Sequence, residues 1–269
     1  MFGVVPKSLW SRVKSCDDKN MCSWSMRCML VDYGDRLVLI DTGIGDKQSE
    51  KFFSYYYLFG DDTLRKSLAA KGYSLSDITD VVLTHLHFDH CGGAVYFDKS
   101  KERYELTFPN ATYWSCEKHW DWAMNPNDRE KASFLKENIV PIQESGQLKF
   151  VERDGHWSQN DLFPGFKLFF ADGHTESQML PVIDYKGKTV IYTADLIPSS
   201  AHVPIPYVMG YDVRPLLTMD EKKLLLKSAA DNESILFFEH DLDTECATVH
   251  HTERGIKLNE TFRLDEMFA

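Results

Sequence analysis

The sequence is short of several features that would assign it to particular classes of protein. None of its 269 residues falls in an apolar run of about 18, the length that a membrane-spanning helix needs. Its six cysteines include no Cys-x-x-Cys pair, and a chain of this length can bury a core without a disulfide framework. We therefore expect free thiols and a cytoplasmic protein, or a periplasmic or secreted one if a signal sequence has been removed.

Positive charge is also scarce. Lysine and arginine number 30 against 41 aspartates and glutamates, so the formal net charge is −11. Nucleic-acid-binding proteins usually present a basic surface, so we expect a small-molecule substrate and neither nucleic acid nor a membrane as partner. No repeat or low-complexity tract divides the chain, which predicts a single domain over residues 1–269. A homodimer is an assembly that the sequence leaves open.

What the sequence does contain is a dense run of metal-capable side chains, directly after the apolar residues 81–83. Three imidazoles and one carboxylate, those of His85, His87, Asp89 and His90, occupy six positions. At this chain's own frequencies such a pattern is expected by chance roughly two times in a thousand. Alternate residues of an extended segment share a face, so one short loop can supply ligands to two neighbouring metal ions.

Three more metal-capable residues each follow a predicted strand. His174 comes after strand 166–170, Asp195 after strand 189–193 and His240 after strand 235–238. Loops at one edge of a sheet can converge on one point. The sequence therefore predicts one ion held by His85, His87 and His174, a second held by Asp89, His90 and His240, and Asp195 as a bridge between them.

Two other features keep two readings each. Asp41 ends strand 37–40, where it is either a turn residue or an acceptor that orients a metal-bound histidine. The aromatic-rich segment 52–59 belongs either to the core or to the wall of an apolar pocket.

Turn residues and periodicity predict the remaining elements. Hairpins are predicted at 26–40 and 181–193, with turns at Gly34-Asp35 and Lys186-Gly187. Helices are predicted at 62–72, around Trp120 and Trp122, at 128–138 and at 215–230, and residues 3–10 are predicted to be extended.

The run Thr84–His90 matches the His-x-His-x-Asp-His hallmark of the metallo-β-lactamase superfamily, which the chain resembles. The resemblance extends from Asp41-Thr42-Gly43 through Gly173-His174-Thr175 and Ala194-Asp195 to His240, and so covers most of the chain. It implies an α/β fold, a four-layer αβ/βα sandwich, with a dinuclear site at one edge. The ligand assignment that it implies agrees with the partition made from the residues.

Within that superfamily, the aspartate at position 195 looks like the glyoxalase II, lactonase and phosphotriesterase-like branches. Only about 30 residues follow His240, too few for the extra domain usual in glyoxalase II. Segment 3–10 and the connection 195–206 look most like the lactonase and methyl-parathion-hydrolase-like group. Some lactonases place a substrate-contacting tyrosine where this chain has Pro198, so His202 or Tyr207 is predicted to substitute for it.

The resemblance thus implies a dinuclear-metal-dependent hydrolase, in which a metal-bridging hydroxide attacks a small ester-like substrate: a lactone, an aryl ester or a phosphotriester. Asp89 is the predicted catalytic proton acceptor. The cofactor is expected to be two divalent ions, Zn²⁺ first, with Mn²⁺ or Fe²⁺ as alternatives. Other readings are a thioester hydrolase like glyoxalase II, a β-lactam hydrolase, or a catalytically silent metal-binding protein. The residues predicted to line the substrate pocket are Phe53, Phe88, Trp120, His202 and Tyr207.

Overall fold

The computed structural model describes residues 1–158 and 162–268. The helices, in chain order, are α1 (Lys7–Trp10), α2 (Glu50–Phe53), α3 (Leu64–Ala70), α4 (Phe88–Cys91), α5 (Glu117–Met124), α6 (Lys136–Glu144), α7 (Pro215–Asp231) and α8 (Leu264–Phe268). None of the helices in these described ranges has the length and apolar character needed to cross a membrane.

The strands alternate with these helices along much of the chain. In chain order they are β1 (Met29–Asp32), β2 (Leu37–Ile40), β3 (Asp80–Val82), β4 (Val95–Asp98), β5 (Arg103–Leu106), β6 (Thr112–Cys116), β7 (Leu148–Val151), β8 (Trp157–Ser158), β9 (Phe166–Ala171), β10 (Gln178–Tyr185), β11 (Lys188–Tyr192), β12 (Ile235–Phe237), β13 (Cys246–Thr252) and β14 (Gly255–Phe262).

The chain forms two compact units. The central unit is Cys28–Val151, and the terminal unit is formed by Met1–Arg27 with Glu152–Ala269. The central unit is built on a five-stranded sheet in the order β1-β2-β3-β6-β7. Its first pair is antiparallel and the others are parallel. Since β2 and β3 are parallel neighbours, the residues that follow them, Asp41 and Leu83-Thr84, emerge at the same edge of the sheet.

The core of the central unit is apolar and tightly closed. Leu39, Val81, Leu83, Leu86 and Tyr113 all belong to it, each with 1% or less of its surface exposed. Leu83 and Leu86 flank His85, so the apolar residues of the motif anchor it while its polar residues remain available. Burial of large aliphatic side chains is worth about 1.5–3 kcal/mol each, which makes this anchor rigid.

The terminal unit is built on a seven-stranded sheet in the order β14-β13-β12-β11-β10-β9-β8. Only the β11–β12 pair is parallel; the other pairs are antiparallel. Strands β9, β11 and β12 therefore run in the same direction, and their carboxyl ends lie at one edge. The residues His174, Asp195 and His240 follow those three ends.

Most predicted elements are confirmed. The two hairpins form at β1–β2 and β10–β11. In the second, Lys186 and Gly187 both have positive φ, as a two-residue hairpin turn requires. The helix predicted at 62–72 is α3, with the Thr63 hydroxyl accepting a hydrogen bond from the amide of Lys66 at its start.

Two predictions are wrong. Residues 3–10 are not extended throughout, because α1 begins after Pro6, whose ring fixes φ near the helical value. The helix predicted at 128–138 begins only at Lys136. The side-chain oxygen of Asn127 accepts hydrogen bonds from the amides of Arg129 and Glu130, and this local turn competes with a helix.

Candidate metal centre

In the central unit, the motif residues lie together where β3 gives way to α4. His85 and His90 are fully buried and His87 is 7% exposed, whereas the side chain of Asp89 is half-buried. Nε2 of His85 lies 3.1 Å from Nδ1 of His87. Nε2 of His90 lies 3.9 Å from Oδ2 of Asp89. Two nitrogens this close without a carboxylate between them suit a shared cation.

Asp41 holds this group from behind. One of its oxygens accepts a hydrogen bond from the Thr84 amide at 2.8 Å, and the other from the Thr84 hydroxyl at 2.7 Å. Nδ1 of His90 donates to the latter oxygen at 3.0 Å. Because the Thr84 hydroxyl donates to Asp41, it accepts from Nδ1 of His85 at 3.1 Å. Both histidines are therefore fixed through Nδ1, which leaves Nε2 for a ligand.

A pair of glycines allows the Asp41 loop to pack against α4. The amide and hydroxyl of Thr42 both donate to the carbonyl of His90, at 2.7 and 2.9 Å. A Cβ on Gly93 would lie 2.1 Å from the Thr42 carbonyl oxygen, and one on Gly92 would lie 2.2 Å from that of Ile44. Side chains cannot fit at either position without moving the loop.

In the terminal unit, a second group is centred on Asp195. One of its oxygens lies 3.1 Å from Nε2 of His174 and the other lies 3.0 Å from Nε2 of His240. All three side chains are almost completely buried. A carboxylate whose two oxygens meet two different imidazoles has the arrangement expected of a bridging ligand.

These two histidines are also held through Nδ1. That of His174 donates to Oδ1 of Asp212 at 3.0 Å, and that of His240 donates to the carbonyl of Ser25 at 2.7 Å. Burial opposes the charged imidazolium of His174, but the carboxylates of Asp195 and Asp212 outweigh it and raise its pKa to about 10. The acidic surroundings therefore favour a cation at His174, whether a proton or a metal ion.

Helix α7 supports the turn that carries His174. The carboxylate of Glu221 accepts hydrogen bonds from the amides of Asp172 and Gly173, at 2.7 and 2.9 Å. A Cβ on Gly173 would lie 2.3 Å from the Thr218 hydroxyl, so only glycine permits this close approach. Burial raises the pKa of Glu221 to about 7.

The predicted pocket residues of the terminal unit lie in an aromatic cluster around Phe2. His202 is fully buried and stacks on Phe2 at 4.6 Å between ring centres. Its Nδ1 is 2.7 Å from the Ser199 hydroxyl, its Nε2 is 3.2 Å from the Met1 carbonyl, and burial lowers its pKa to about 3. Tyr207 meets Phe2 edge-on at 6.3 Å. These contacts give His202 a packing role, and substrate contact by either residue stays a prediction.

The predicted pocket residues of the central unit divide between surface and core. Phe88, within the motif, packs against Tyr56 at 4.9 Å, and Phe53 is half-buried beside it in α2. Tyr57 and Phe59 are exposed by 62% and 65%, so segment 52–59 is not core. Trp120 is instead 2% exposed within the hydrophobic core, and its contact with a substrate stays a prediction.

Comparison with known proteins identifies the family. The model of the metallo-β-lactamase superfamily matches residues 27–240. The chain belongs to this superfamily. The match spans every predicted metal ligand, and with the structural similarity below it confirms the predicted α/β class and metallo-β-lactamase fold.

Similar proteins include hydrolases and lactonases. An N-acyl homoserine lactonase of Bacillus cereus is 24% identical over 239 residues, covering 84% of this chain and 85% of the relative. A probable metal-dependent hydrolase from Staphylococcus aureus superposes with a TM-score of 0.85 and 26% identity, over 98% of this chain and 90% of that one. AidC, a dizinc quorum-quenching lactonase with bound product, gives 0.70 and 26%, over 89% and 80%. The predicted enzyme class, a metal-dependent hydrolase, is confirmed.

The sequence did not point to several residues that hold the histidines. Thr84 adjoins the motif and could have been included for that reason. Asp212 lies in a loop with no periodic or motif signal, and Ser25 acts through its backbone carbonyl, which carries no sequence signal at all.

Proposed function

We propose that this chain is a dinuclear-metal-dependent hydrolase of small ester-like substrates, namely lactones, aryl esters or phosphotriesters. In this proposal the two groups of ligands act together, so the central and terminal units form one functional domain over residues 1–269. The proposed ligands are His85, His87 and His174 for one ion, Asp89, His90 and His240 for the other, and Asp195 for both.

The observation that carries the proposal is the arrangement around Asp195. Each of its oxygens is turned to the Nε2 atom of a different histidine, and each of those histidines is fixed from behind through Nδ1. Ligating histidines in metalloproteins are typically oriented in this way. The mixed nitrogen and oxygen donors fit Zn²⁺, Mn²⁺ or Fe²⁺, and the dizinc lactonase among the similar structures favours zinc.

Two divalent ions bound there would supply Lewis acidity and a source of hydroxide at neutral pH. The chain's own contribution to proton transfer is assigned to Asp89. Its side chain is 31% exposed, so one oxygen can serve as a ligand while the carboxylate still reaches solvent and substrate. In that position it can accept the proton of the nucleophile and return it to the leaving group.

The apolar part of the substrate is assigned to the aromatic surface beside the motif. Phe88 separates His87 from Asp89 in sequence, and its ring packs with those of Phe52 and Tyr56. An apolar acyl or aryl group lying on this surface would bring its ester bond next to Asp89. Few polar contacts are needed for such binding, which suits a hydrolase of lactones or aryl esters.

The test is a panel of substrates given to the zinc-loaded protein: an N-acyl homoserine lactone, an aryl ester, a phosphotriester, a thioester and a chromogenic β-lactam. We expect turnover of at least one of the first three, lost in both His87→Ala and Asp195→Ala together with bound metal. Turnover of the thioester or β-lactam alone would favour the glyoxalase II-like or β-lactamase reading. Zinc binding without any turnover would favour a silent metal-binding protein, and full turnover without metal would refute the proposal.

The compartment and the assembly follow the same status. We propose a cytoplasmic enzyme that acts on a small molecule and has neither nucleic acid nor a membrane as partner, in keeping with its net charge of −11. A homodimer remains a prediction, which the molecular mass in solution would decide.

A further inference from the structure

His87 is held by a segment that lies outside the motif. Residues 127–134 of the central unit, here called the His87 seat, contact it on two sides. Nε2 of His87 lies 3.5 Å from Oε1 of Glu130, and the ring centre of His87 lies 4.8 Å from that of Phe134. The carbonyl of Ser133 also accepts a hydrogen bond from the amide of Phe88, the next residue of the motif, at 3.0 Å.

Glu130 is itself fixed in orientation. It is 3% exposed, and its Oε2 accepts hydrogen bonds from Nε1 of Trp122 at 2.8 Å and from Nδ2 of Asn127 at 2.6 Å. The amide of Asn127 cannot reverse its role, because its oxygen already accepts from two backbone amides. With Oε2 serving both donors, Oε1 is the oxygen that faces His87.

The opposite nitrogen of His87 faces the predicted metal. Its Nδ1 lies 3.1 Å from Nε2 of His85. A neutral imidazole carries a proton on one nitrogen and a lone pair on the other, and the acceptor beside one nitrogen decides which. A carboxylate beside Nε2 keeps the proton there and leaves the lone pair of Nδ1 for a ligand.

We infer that Glu130 is a positioning residue that sets the tautomer of His87, with the proton on Nε2 and the metal-binding lone pair on Nδ1. This inference rests on the proposed metal centre for its effect on zinc. The assignment of the proton, however, concerns the protein without metal and stands separately. Glu130 acts through His87 and is not assigned any contact with substrate.

The substitution Glu130→Gln makes a sharp prediction. Trp122 and Asn127 both donate, so the amide oxygen of glutamine must occupy the place of Oε2. Its NH₂ group then faces Nε2 of His87 and donates to it. The proton of His87 moves to Nδ1, where it blocks the ligand position, although the substitution changes little in size.

The experiment measures the tautomer and the zinc affinity in parallel. Two-bond ¹H–¹⁵N spectra of the imidazoles, recorded at pH 8 without metal, report which nitrogen of His87 carries the proton. Competition with a chromophoric chelator reports zinc affinity. We expect the proton on Nε2 in the wild type and on Nδ1 in Glu130→Gln, with zinc affinity lowered about 10- to 100-fold. The control is Glu144→Gln at the exposed end of α6, which should match the wild type in both.

Three outcomes separate this inference from the proposed function. A proton on Nδ1 in the wild type would overturn the inference, even if Glu130→Gln does not fold. Wild-type zinc affinity in a folded Glu130→Gln variant would overturn it as well. If the wild type bound no zinc but the proton moved as expected, the tautomer assignment would hold and the proposed function would fail.

Discussion

At the scale of single residues, each of the histidines in the two groups is held through the nitrogen that points away from the proposed ion. The acceptors differ: a hydroxyl for His85, a carboxylate for His90 and His174, and a backbone carbonyl for His240. Such acceptors fix ring orientation and raise the basicity of the ligating nitrogen. Removing one acceptor should weaken metal binding without removing a ligand.

Asp212 offers the clearest case. Asp212→Ala deletes the acceptor of His174, and we expect zinc affinity to fall about 10- to 100-fold, as is typical when such a partner is lost. Asp212→Asn retains one acceptor oxygen and should lose less. Chelator competition measures both, with Asp220→Ala on the exposed face of α7 as the control. An unchanged affinity in Asp212→Ala would show that His174 needs no such support.

The sequence predicted ligands well and their supports poorly, for a physical reason. Ligands such as His85 and His87 must be particular residue types at fixed spacing, so they leave a motif. A support needs only an acceptor atom at the right place, and a hydroxyl, a carboxylate or a backbone carbonyl can each provide it. Asp212 and Glu130 therefore carry no signal that distinguishes them from other acids of the chain.

At the scale of elements, the packing of the Asp41 loop against α4 depends on absent side chains. Gly93→Ala would place a Cβ 2.1 Å from the Thr42 carbonyl oxygen, so the loop must move. We expect a loss of about 1–3 kcal/mol in the free energy of unfolding, measured by urea denaturation. The control is Gly210→Ala, whose Cβ would meet no listed atom closer than 3.7 Å. Equal stability of the two variants would contradict the tight approach.

Helix α7 gives a prediction that depends on pH. The carboxyl of Glu221 has its pKa raised from 4.5 to about 7 by burial. Between those values the unfolded chain releases the proton while the folded chain keeps it, so the stability from this group is present below pH 4.5 and is lost as the pH rises through about 7. At about 1.4 kcal/mol per pKa unit, the loss is about 2–3 kcal/mol.

The comparison that isolates this effect is wild type against Glu221→Gln, which cannot titrate. Urea denaturation at pH 5 and pH 8 should show the stability of the wild type relative to the variant falling as the pH rises. Exposed Glu233→Gln serves as the control and should show no such trend. A difference that stays constant between the two pH values would contradict the raised pKa.

Elements were predictable where local chemistry decides them. The β10–β11 hairpin follows from Lys186-Gly187, because few other pairs accept positive φ at both positions. The helix predicted at 128–138 fails because Asn127 and Glu130 are engaged in the His87 seat, a tertiary demand that periodicity does not record. The strands β13 and β14 were not predicted at all, since their exposed and buried residues alternate only weakly.

At the scale of the whole molecule, the account claims that two separate groups of ligands serve one dinuclear site. Each unit contributes histidines and at least one carboxylate, and neither group alone would complete the coordination of two ions. Membership of the metallo-β-lactamase superfamily, with a match that spans both groups, supports this claim. The claim implies that a change in either unit should affect the metal content of the whole protein.

The most direct measurement is the number of zinc ions bound per chain, by elemental analysis after equilibration with zinc and removal of the excess. The account predicts about two in the wild type and a clear loss in both His87→Ala, from the central unit, and Asp195→Ala, from the terminal unit. A wild type that holds a single ion or none, or an Asp195→Ala variant that still holds two, would contradict it.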